Sequence, residues 1–310
     1  MAAINLRHHR LRLCSEHLVA WTPKQVARAI VKYRMFAPTD RVLVAVSGGK
    51  DSLTLWDVLL HLGYQADGVY INLGIGPAGG YSDLSQAKAE AFAAAHPEAR
   101  LTVVDLARQY GATVPELVKE RRGRHPCSVC GLVKRHIMNR LARESGYAAI
   151  ATGHNLDDEV AVLFQNTLRW NISYMARQGP VLPEGPGFAR KVKPLIRIRE
   201  RESAAYALVR GIDYIYDECP HAEGAATLFY KEIINQLEAR SPGMKESFYL
   251  SFLEQRARYD LFRQERQELA MHPCERCGQP TTAPSICAFC RLWLSSAERR
   301  RLRDIGQEFP

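Results

Sequence analysis

The chain has 310 residues, more than one domain usually holds, so one sizeable core with appendages, or two domains, is expected. Hydrophobic residues make up 46% of it and charged residues 24%, and no run of about eighteen apolar residues occurs, which excludes wholesale disorder and a membrane-spanning helix. Lysine and arginine outnumber aspartate and glutamate by 42 to 33, and the resulting net charge of +9 favours a polyanionic partner.

Residues 1–40 are basic and helix-leaning, with 7 Lys or Arg against 2 acidic residues. The opening MAAINLRHHRLRL carries charge but no apolar stretch behind it, so it does not read as a secretory signal and a cytoplasmic protein is expected. Apolar runs at Val42–Val46, Ala66–Leu73, Leu101–Asp105 and Tyr147–Ala151 read as strands. Helical spacing over Asp51–Leu62, Leu84–Ala95, Val129–Ser145 and Asp157–Leu168 places a helix after each of them. That alternation predicts an α/β fold, a parallel sheet with helices on both faces. Gly179–Pro194 is rich in Pro and Gly and reads as a loop crossing. Arg199–Arg210, Ala225–Arg240 and Met244–Ala270 read as helices, and Ile212–Tyr216 as strand-like. From about His272 the pattern gives way to cysteine and proline, which marks a boundary.

Between the first strand and its helix lies Ser47-Gly48-Gly49-Lys50-Asp51-Ser52. Two glycines let backbone N–H groups approach phosphate oxygens, and the helix behind them points its positive end at the anion. Ser47 and Ser52 offer hydroxyls, Lys50 a mobile cation and Asp51 a Mg²⁺ ligand. The order fits neither the G-x-x-x-x-G-K-[ST] loop nor the dinucleotide G-x-G-x-x-G. A second cluster, Gly153-His154-Asn155-Leu156-Asp157-Asp158, follows the fourth strand. Ligands of open α/β sheets bind at such strand ends, whereas helix capping alone is the plainer reading of Asp157 and Asp158.

Six of the eight cysteines stand in C-x-x-C pairs, a pattern that favours metal over disulfides in a protein without a secretory signal. Cys274, Cys277, Cys287 and Cys290 form two such pairs nine residues apart, the spacing of a closed tetrahedral Cys₄ zinc site with a structural role. Cys127 and Cys130 lie in basic surroundings, with 8 Lys or Arg against 1 Glu from Lys119 to Arg143. That pair suits a redox dithiol, half of a zinc site or part of an iron–sulfur site. Cys219 is the third candidate, and burial as a small hydrophobe is its alternative. Cys14 and His17, with His8 and His9 upstream, are further potential ligands.

SGGKDS behind an apolar strand, with GHNLDD further on, resembles the PP-loop ATP pyrophosphatases, which split ATP between the α and β phosphates. PCSVCGLVKR, TGHNLDDE, KVKPL, GIDY and DECP, in this order, are similar to the tRNA 2-thiolation sulfurtransferases, nearest to the type that converts T-loop 5-methyluridine to its 2-thio form. The similarity runs roughly from Cys14 to Leu292. It implies a PP-loop catalytic domain over 41–217, after the N-terminal basic segment 1–40. A helical extension (218–271) and a zinc ribbon with a basic tail (272–310) complete the expected division. It implies ATP contacts at Ala45, Val46, Ser47, Asp51, Ile71, Lys134 and Gly153, beside Gly48, Gly49 and Ser52 of the loop. Lys50, Asp51, Lys134 and Asp158 match the catalytic positions, with Asp51 and Asp158 holding Mg²⁺ or orienting phosphate. Cys127, Cys130 and Cys219 match the ligands of a [4Fe–4S] cluster whose open iron carries sulfide. Cys14 and His17 match the second half of an N-terminal zinc knuckle whose upstream C-x-x-C is absent, with His8 and His9 as substitute ligands. The implied partners are tRNA, a thiocarboxylated ubiquitin-like sulfur carrier and a second copy of the chain.

Arg190–Arg201 is a further basic run, 6 cations against Glu200 alone. Arg276, Arg291 and Arg299–Arg301 add charge in and beyond the last cysteines. Trp170, Tyr174 and Phe188 are candidates to stack a flipped base, against the plainer reading of each as a core or loop residue. The function expected is adenylation of the uridine O2 by ATP followed by its replacement with sulfur. The rivals are the same chemistry on wobble uridine or cytidine, a persulfide route on Cys127 or Cys130, and a non-catalytic zinc-containing RNA-binding protein.

Overall fold

The computed structural model describes residues 2–120, 125–222, 226–262, 270–295 and 298. A short antiparallel hairpin, β1 (Ile4–Leu6) and β2 (Leu11–Leu13), leads into α1 (Ser15–Lys32). The central part then runs β3 (Arg41–Val46), α2 (Lys50–His61), β4 (Gln65–Asn72), α3 (Tyr81–Ala94), β5 (Leu101–Asp105), α4 (Leu106–Tyr110), α5 (Val114–Glu120), α6 (Pro126–Glu144), β6 (Ala149–Thr152), α7 (Leu156–Leu168) and α8 (Ile172–Arg177). Two-residue strands β7 (Val181–Leu182) and β8 (Lys191–Val192) follow, then α9 (Glu200–Arg210), α10 (Ala226–Arg240) and α11 (Met244–Arg258). The C-terminal piece consists of β9 (His272–Pro273), β10 (Pro280–Thr281) and α12 (Ala288–Arg291).

The sheet order is β5-β4-β3-β6-β8-β7, parallel except for β7, which pairs antiparallel with β8. The chain leaves β3 on one side towards β5 and returns to β6 on the other, so the order reverses between β3 and β6, where open α/β sheets bind ligands. Alternation along β3 explains the two faces. Val42, Val44 and Val46 join the core of Trp56, Leu156 and Val160, beneath α2 and α7. Leu43 joins Val69, Ile71, Val104 and Ile150 against Val129, Val133 and Ile137 of α6.

Several expectations shift. The Gly179–Pro194 stretch contributes β7 and β8 to the sheet edge, strands too short to show any period. Ile212–Tyr216 pairs with no strand among the described residues; its Ile215 N–H goes to the Gly48 carbonyl instead. The helix from Met244 stops at Arg258, where Asp260 and Phe262 take left-handed backbone (φ 45° and 69°). Residues 263–269, the remainder of that expected helix, lie outside the described residues, as does Ala225. The helix read as Val129–Ser145 begins earlier, with Pro126 at its first position, so Cys127 and Cys130 both lie on it.

The cysteine-rich piece docks on α6. The Phe289 ring lies parallel to His136 at 3.6 Å between centroids, and Asn139 Nδ2 donates to Gln279 Oε1 at 2.9 Å. Among the described residues no helix is long and apolar enough to cross a membrane.

Candidate active site

The turn from β3 into α2 is shaped by a glycine and a serine. Gly48 has φ +75°, and a Cβ there would lie 2.3 Å from the Ser85 carbonyl oxygen. Ser52 Oγ accepts the Ser47 N–H and donates to the Gly49 carbonyl, both at 3.0 Å. Its hydroxyl therefore braces the loop, while the start of α2 presents its positive dipole end. Across the switch point, a Cβ on Gly153 would stand 2.9 Å from the Ser52 nitrogen. Glycine there lets the second motif abut the first.

A cavity of about 410 Å³ opens at these strand ends. Ala45, Val46 and Ile71 form an apolar wall, with Ser47, Asp51, Ser52 and Gly153 beside it. Cys130 and Lys134 of α6 and Cys219 complete it. Cys130, Lys134 and Met138 recur every fourth residue, so one face of α6 meets the cavity. Gly48, Gly49, Lys50, Asp158 and Cys127 are not among its lining residues. His154 sits at the rim, its Nδ1 2.8 Å from Thr152 Oγ1. Desolvation, then the Lys193 ammonium, holds its imidazole below the ordinary histidine range.

Beside the cavity runs a line of alternating charges. Lys50 Nζ lies 3.1 Å from Asp51 Oδ2 and 2.9 Å from Glu200 Oε1. Glu200 Oε2 lies 2.9 Å from Lys231 Nζ, which in turn lies 2.6 Å from Asp158 Oδ1. Burial opposes ionisation of Glu200, but the Lys231 and Lys50 ammoniums outweigh it and bring its carboxyl down to about 2. Both lysines are held above their usual range: burial works against the charge, Asp51 and Glu200 overcome it for Lys50, and Asp158 and Glu200 for Lys231. Burial raises the Asp51 carboxyl despite Lys50. Its Oδ1 is buried without a hydrogen-bond partner, a donor atom suited to a divalent cation. Asp158 also closes the capping box of α7, accepting the Asn155 N–H at 3.0 Å. Asp157 is structural: it pairs with buried Lys245 and accepts the Glu200 N–H at 2.9 Å. Sequence reasoning missed Glu200 and Lys231. The one available signal was Glu200 standing as the sole acid in a cationic run.

Cys274, Cys277, Cys287 and Cys290 bring their sulfur atoms within 4.8 Å of one another, the only such group of potential metal ligands among the described residues. Four convergent thiols suit one tetrahedral Zn²⁺. Cys127, Cys130 and Cys219 do not converge that tightly, so they do not form a single-ion site. Cys127 is exposed, its Sγ donating to the His221 carbonyl at 3.5 Å. Burial raises the Cys130 thiol against the pull of Lys134, and Cys219 and Cys127 are close enough to add to that rise. Three neighbouring free thiols with wider spacing suit a polynuclear cluster with an incomplete protein ligand set. Cys14 Sγ lies 3.0 Å from His17 Nδ1; the His17 backbone N–H, and then its imidazole, lowers the thiol, and the thiol raises the imidazole. His8 turns instead to Glu202 and Glu246 (3.2 and 3.4 Å), and His9 packs on Trp21, so neither replaces the missing ligands.

The basic runs differ from their sequence reading. In Arg190–Arg201, Arg190 pairs with Glu184 at the surface, and Lys193 with Glu159 and Arg199 with Glu238 and Glu246 inside the fold, so half the run is matched by acids. In Lys119–Arg143, Lys134 faces the cavity, while Arg121, Arg122 and Arg124 lie outside the described residues, as do Arg299–Arg301. Trp170 and Tyr174 are exposed, 73% and 64%, rather than buried; Phe188 is half-buried.

No protein-family model matches the chain. It is 50% identical over 308 residues to the tRNA-5-methyluridine(54) 2-sulfurtransferase of Thermus thermophilus, covering 99% of this chain and 93% of that protein. It is 43% identical over 294 residues to the protein of the same name from Pyrococcus horikoshii, covering 94% and 91%. The solved U34-tRNA thiolase NcsA from Methanococcus maripaludis, with its [4Fe-4S] cluster, shares the fold at a TM-score of 0.76 and 23% identity, over 94% of this chain and 92% of that one. By these identities and coverages, the chain belongs to the tRNA-5-methyluridine(54) 2-sulfurtransferase family.

Proposed function

We propose that this chain uses ATP to replace O2 of the T-loop 5-methyluridine of tRNA with sulfur. One observation carries the reading: the phosphate-loop residues Ser47 and Asp51, the cation Lys134 and the thiols Cys130 and Cys219 face one cavity. A nucleotide and a sulfur source are thereby brought to the same space.

In this reading the Gly48–Ser52 turn and the start of α2 hold the ATP phosphates, with the adenosine against Ala45, Val46 and Ile71. Asp51, through its unpartnered Oδ1, and Asp158 are the residues to hold Mg²⁺. O2 of the uridine attacks the α-phosphorus, the bond to the bridging oxygen breaks, and pyrophosphate leaves. Lys134 stabilises charge on the transferring group, and Lys50 faces the departing pyrophosphate; both act by position and charge. Sulfur then adds at C2 and AMP departs with the original oxygen. An iron–sulfur cluster on Cys127, Cys130 and Cys219, with one iron free of protein ligand, supplies that sulfur when bound. Cys274, Cys277, Cys287 and Cys290 would hold a structural Zn²⁺. A thiocarboxylated ubiquitin-like sulfur carrier, a homodimer and a cytoplasmic location belong to the same reading.

The test is anaerobic incubation of reconstituted protein with tRNA lacking sulfur, ATP, Mg²⁺ and sulfide, followed by mass analysis of the nucleosides. 2-Thio-5-methyluridine supports the reading. Thiocytidine or wobble thiouridine overturns the substrate, and absence of ATP binding overturns the enzyme.

A further inference from the structure

We propose that Glu200 and Lys231 are positioning residues that hold Lys50 and Asp158 in place for adenylyl transfer, an inference that rests on the ATP-dependent reading above. Four helices bring these groups together. Lys50 and Asp51 open α2, Asp158 lies in the first turn of α7, Glu200 opens α9, and Lys231 lies in the second turn of α10. Glu200 is the hub: one carboxylate oxygen takes Lys50 and the other takes Lys231, each at 2.9 Å. Its backbone N–H is fixed in turn by Asp157 Oδ2. Lys231 carries the line on to Asp158.

Donor arithmetic says what this does. A lysine ammonium has three N–H donors. Lys50 gives one to Asp51 and one to Glu200, which leaves one for an incoming phosphate oxygen. Lys231 gives its donors to Asp158 and Glu200 and likewise keeps one. Without Glu200, the flexible Lys50 stem would be tethered only to its own neighbour, Asp51. Without Lys231, Asp158 would keep its capping bond and lose the one cation paired with it among the described residues. Fold stability is a poor explanation for the hub, because the Glu200 side chain is 38% exposed and such pairs contribute little.

The experiment compares wild type with Glu200→Gln, Glu200→Asp, Lys231→Met and the Glu200→Gln/Lys231→Met double variant. ATP affinity, the tRNA-dependent kcat for pyrophosphate formation, and the melting temperature are measured on each. Glu200→Gln is expected to lower kcat roughly 10- to 100-fold, the scale of a lost alignment, while changing ATP affinity less than about threefold. Glu200→Asp regains part of the loss, and the double variant loses clearly less than the product of the two single losses, since both break the Glu200–Lys231 link while each also frees a different group. Wild-type kcat in Glu200→Gln, or losses that multiply in the double variant, overturns the inference and leaves the functional reading standing. Wild type that forms no pyrophosphate overturns the reading, and the inference falls with it.

Discussion

The Ile215 N–H donates to the Gly48 carbonyl at 2.9 Å, so the segment that carries Cys219 is hydrogen-bonded directly to the phosphate-binding loop. One further contact holds the segment down: Lys88 of α3 reaches both carboxylate oxygens of Asp213 at 2.7 Å. Within the segment the Tyr214 and Tyr216 rings lie 4.4 Å apart. The loop that would bind ATP and the thiol that would bind a cluster are therefore parts of one braced unit.

Asp213→Ala removes the outer brace. The pair is largely exposed, so it contributes at most about 1 kcal/mol and the melting temperature should hardly move. The expected effect is local: iron in anaerobically reconstituted protein should be lost a few-fold faster to a chelator. Unchanged iron retention would show that Ile215 alone suffices to hold the segment.

Asp51→Asn tests the buried carboxylate oxygen that lacks a partner. The amide keeps the shape and removes the charge, so Mg²⁺ should bind more weakly while the loop stays folded. Pyrophosphate formation is expected to fall roughly 100- to 1000-fold, the usual scale for losing one preorganised electrostatic group. Excess Mg²⁺ should recover part of it. Full activity at ordinary Mg²⁺ would remove Asp51 from the metal site.

What was legible in the sequence follows from how local each feature is. The strand-turn-helix around Ser47–Ser52, the GHNLDD turn and the four clustered cysteines each sit in a short span, and their spacing carries their chemistry. Glu200 and Lys231 were not legible, because each is one of several charges on its helix with no spacing to mark it, and only the packing of α9 and α10 against α2 and α7 brings them to the site. The Arg190–Arg201 run misled for the converse reason: a count of cations says nothing of Glu159, Glu184, Glu238 and Glu246, the acids that meet them from 6 to 47 residues away. Ile212–Tyr216 looked like a strand because it is rich in isoleucine and tyrosine, yet the partner for Ile215 is a loop carbonyl.

Phe289→Ala tests how the cysteine-rich piece is held. Its ring is buried against His136, and the loss should cost about 3–5 kcal/mol, the usual range for a buried phenylalanine. His136 and Asn139 lie on a different face of α6 from Cys130 and Lys134. Zinc content should persist, and ATP affinity measured well below the new melting temperature should stay within a few-fold of wild type. A loss of ATP binding in folded protein would mean that the docking sets the position of Lys134.

Glu200 gives a pH dependence with a definite sign. Its carboxyl lies at about 2 in the folded chain against an ordinary 4.5, so the stability it contributes is present above about 4.5 and is lost as pH falls towards 2. Because the carboxylate is 38% exposed, wild type should melt only slightly above Glu200→Gln near neutral pH, a difference of about 1 kcal/mol or less, and that small gap should close across the acid window. A gap that stays constant down to pH about 2 would mean that packing, and not charge, separates the two proteins.

Trp170 is held where a glycine would be more comfortable. Its N–H bonds to the Thr167 carbonyl (3.1 Å) and that of Asn171 to the Asn166 carbonyl (2.9 Å), a Schellman close to α7 that places Trp170 at φ +48°. A bulky side chain in left-handed backbone costs roughly 1–2 kcal/mol, and this one is exposed, so it recovers little by burial. Arg169 precedes it, and nearby in sequence the Arg177 guanidinium lies 5.6 Å from the centre of the exposed Tyr174 ring. Aromatic rings beside arginines, with no acidic residue between Glu159 and Glu184, suit stacking on unpaired bases. Trp170→Gly should therefore raise the melting temperature and weaken tRNA binding together, the latter by about 1–3 kcal/mol if one base stacks there. A more stable variant with unchanged tRNA affinity would remove this corner from the RNA surface.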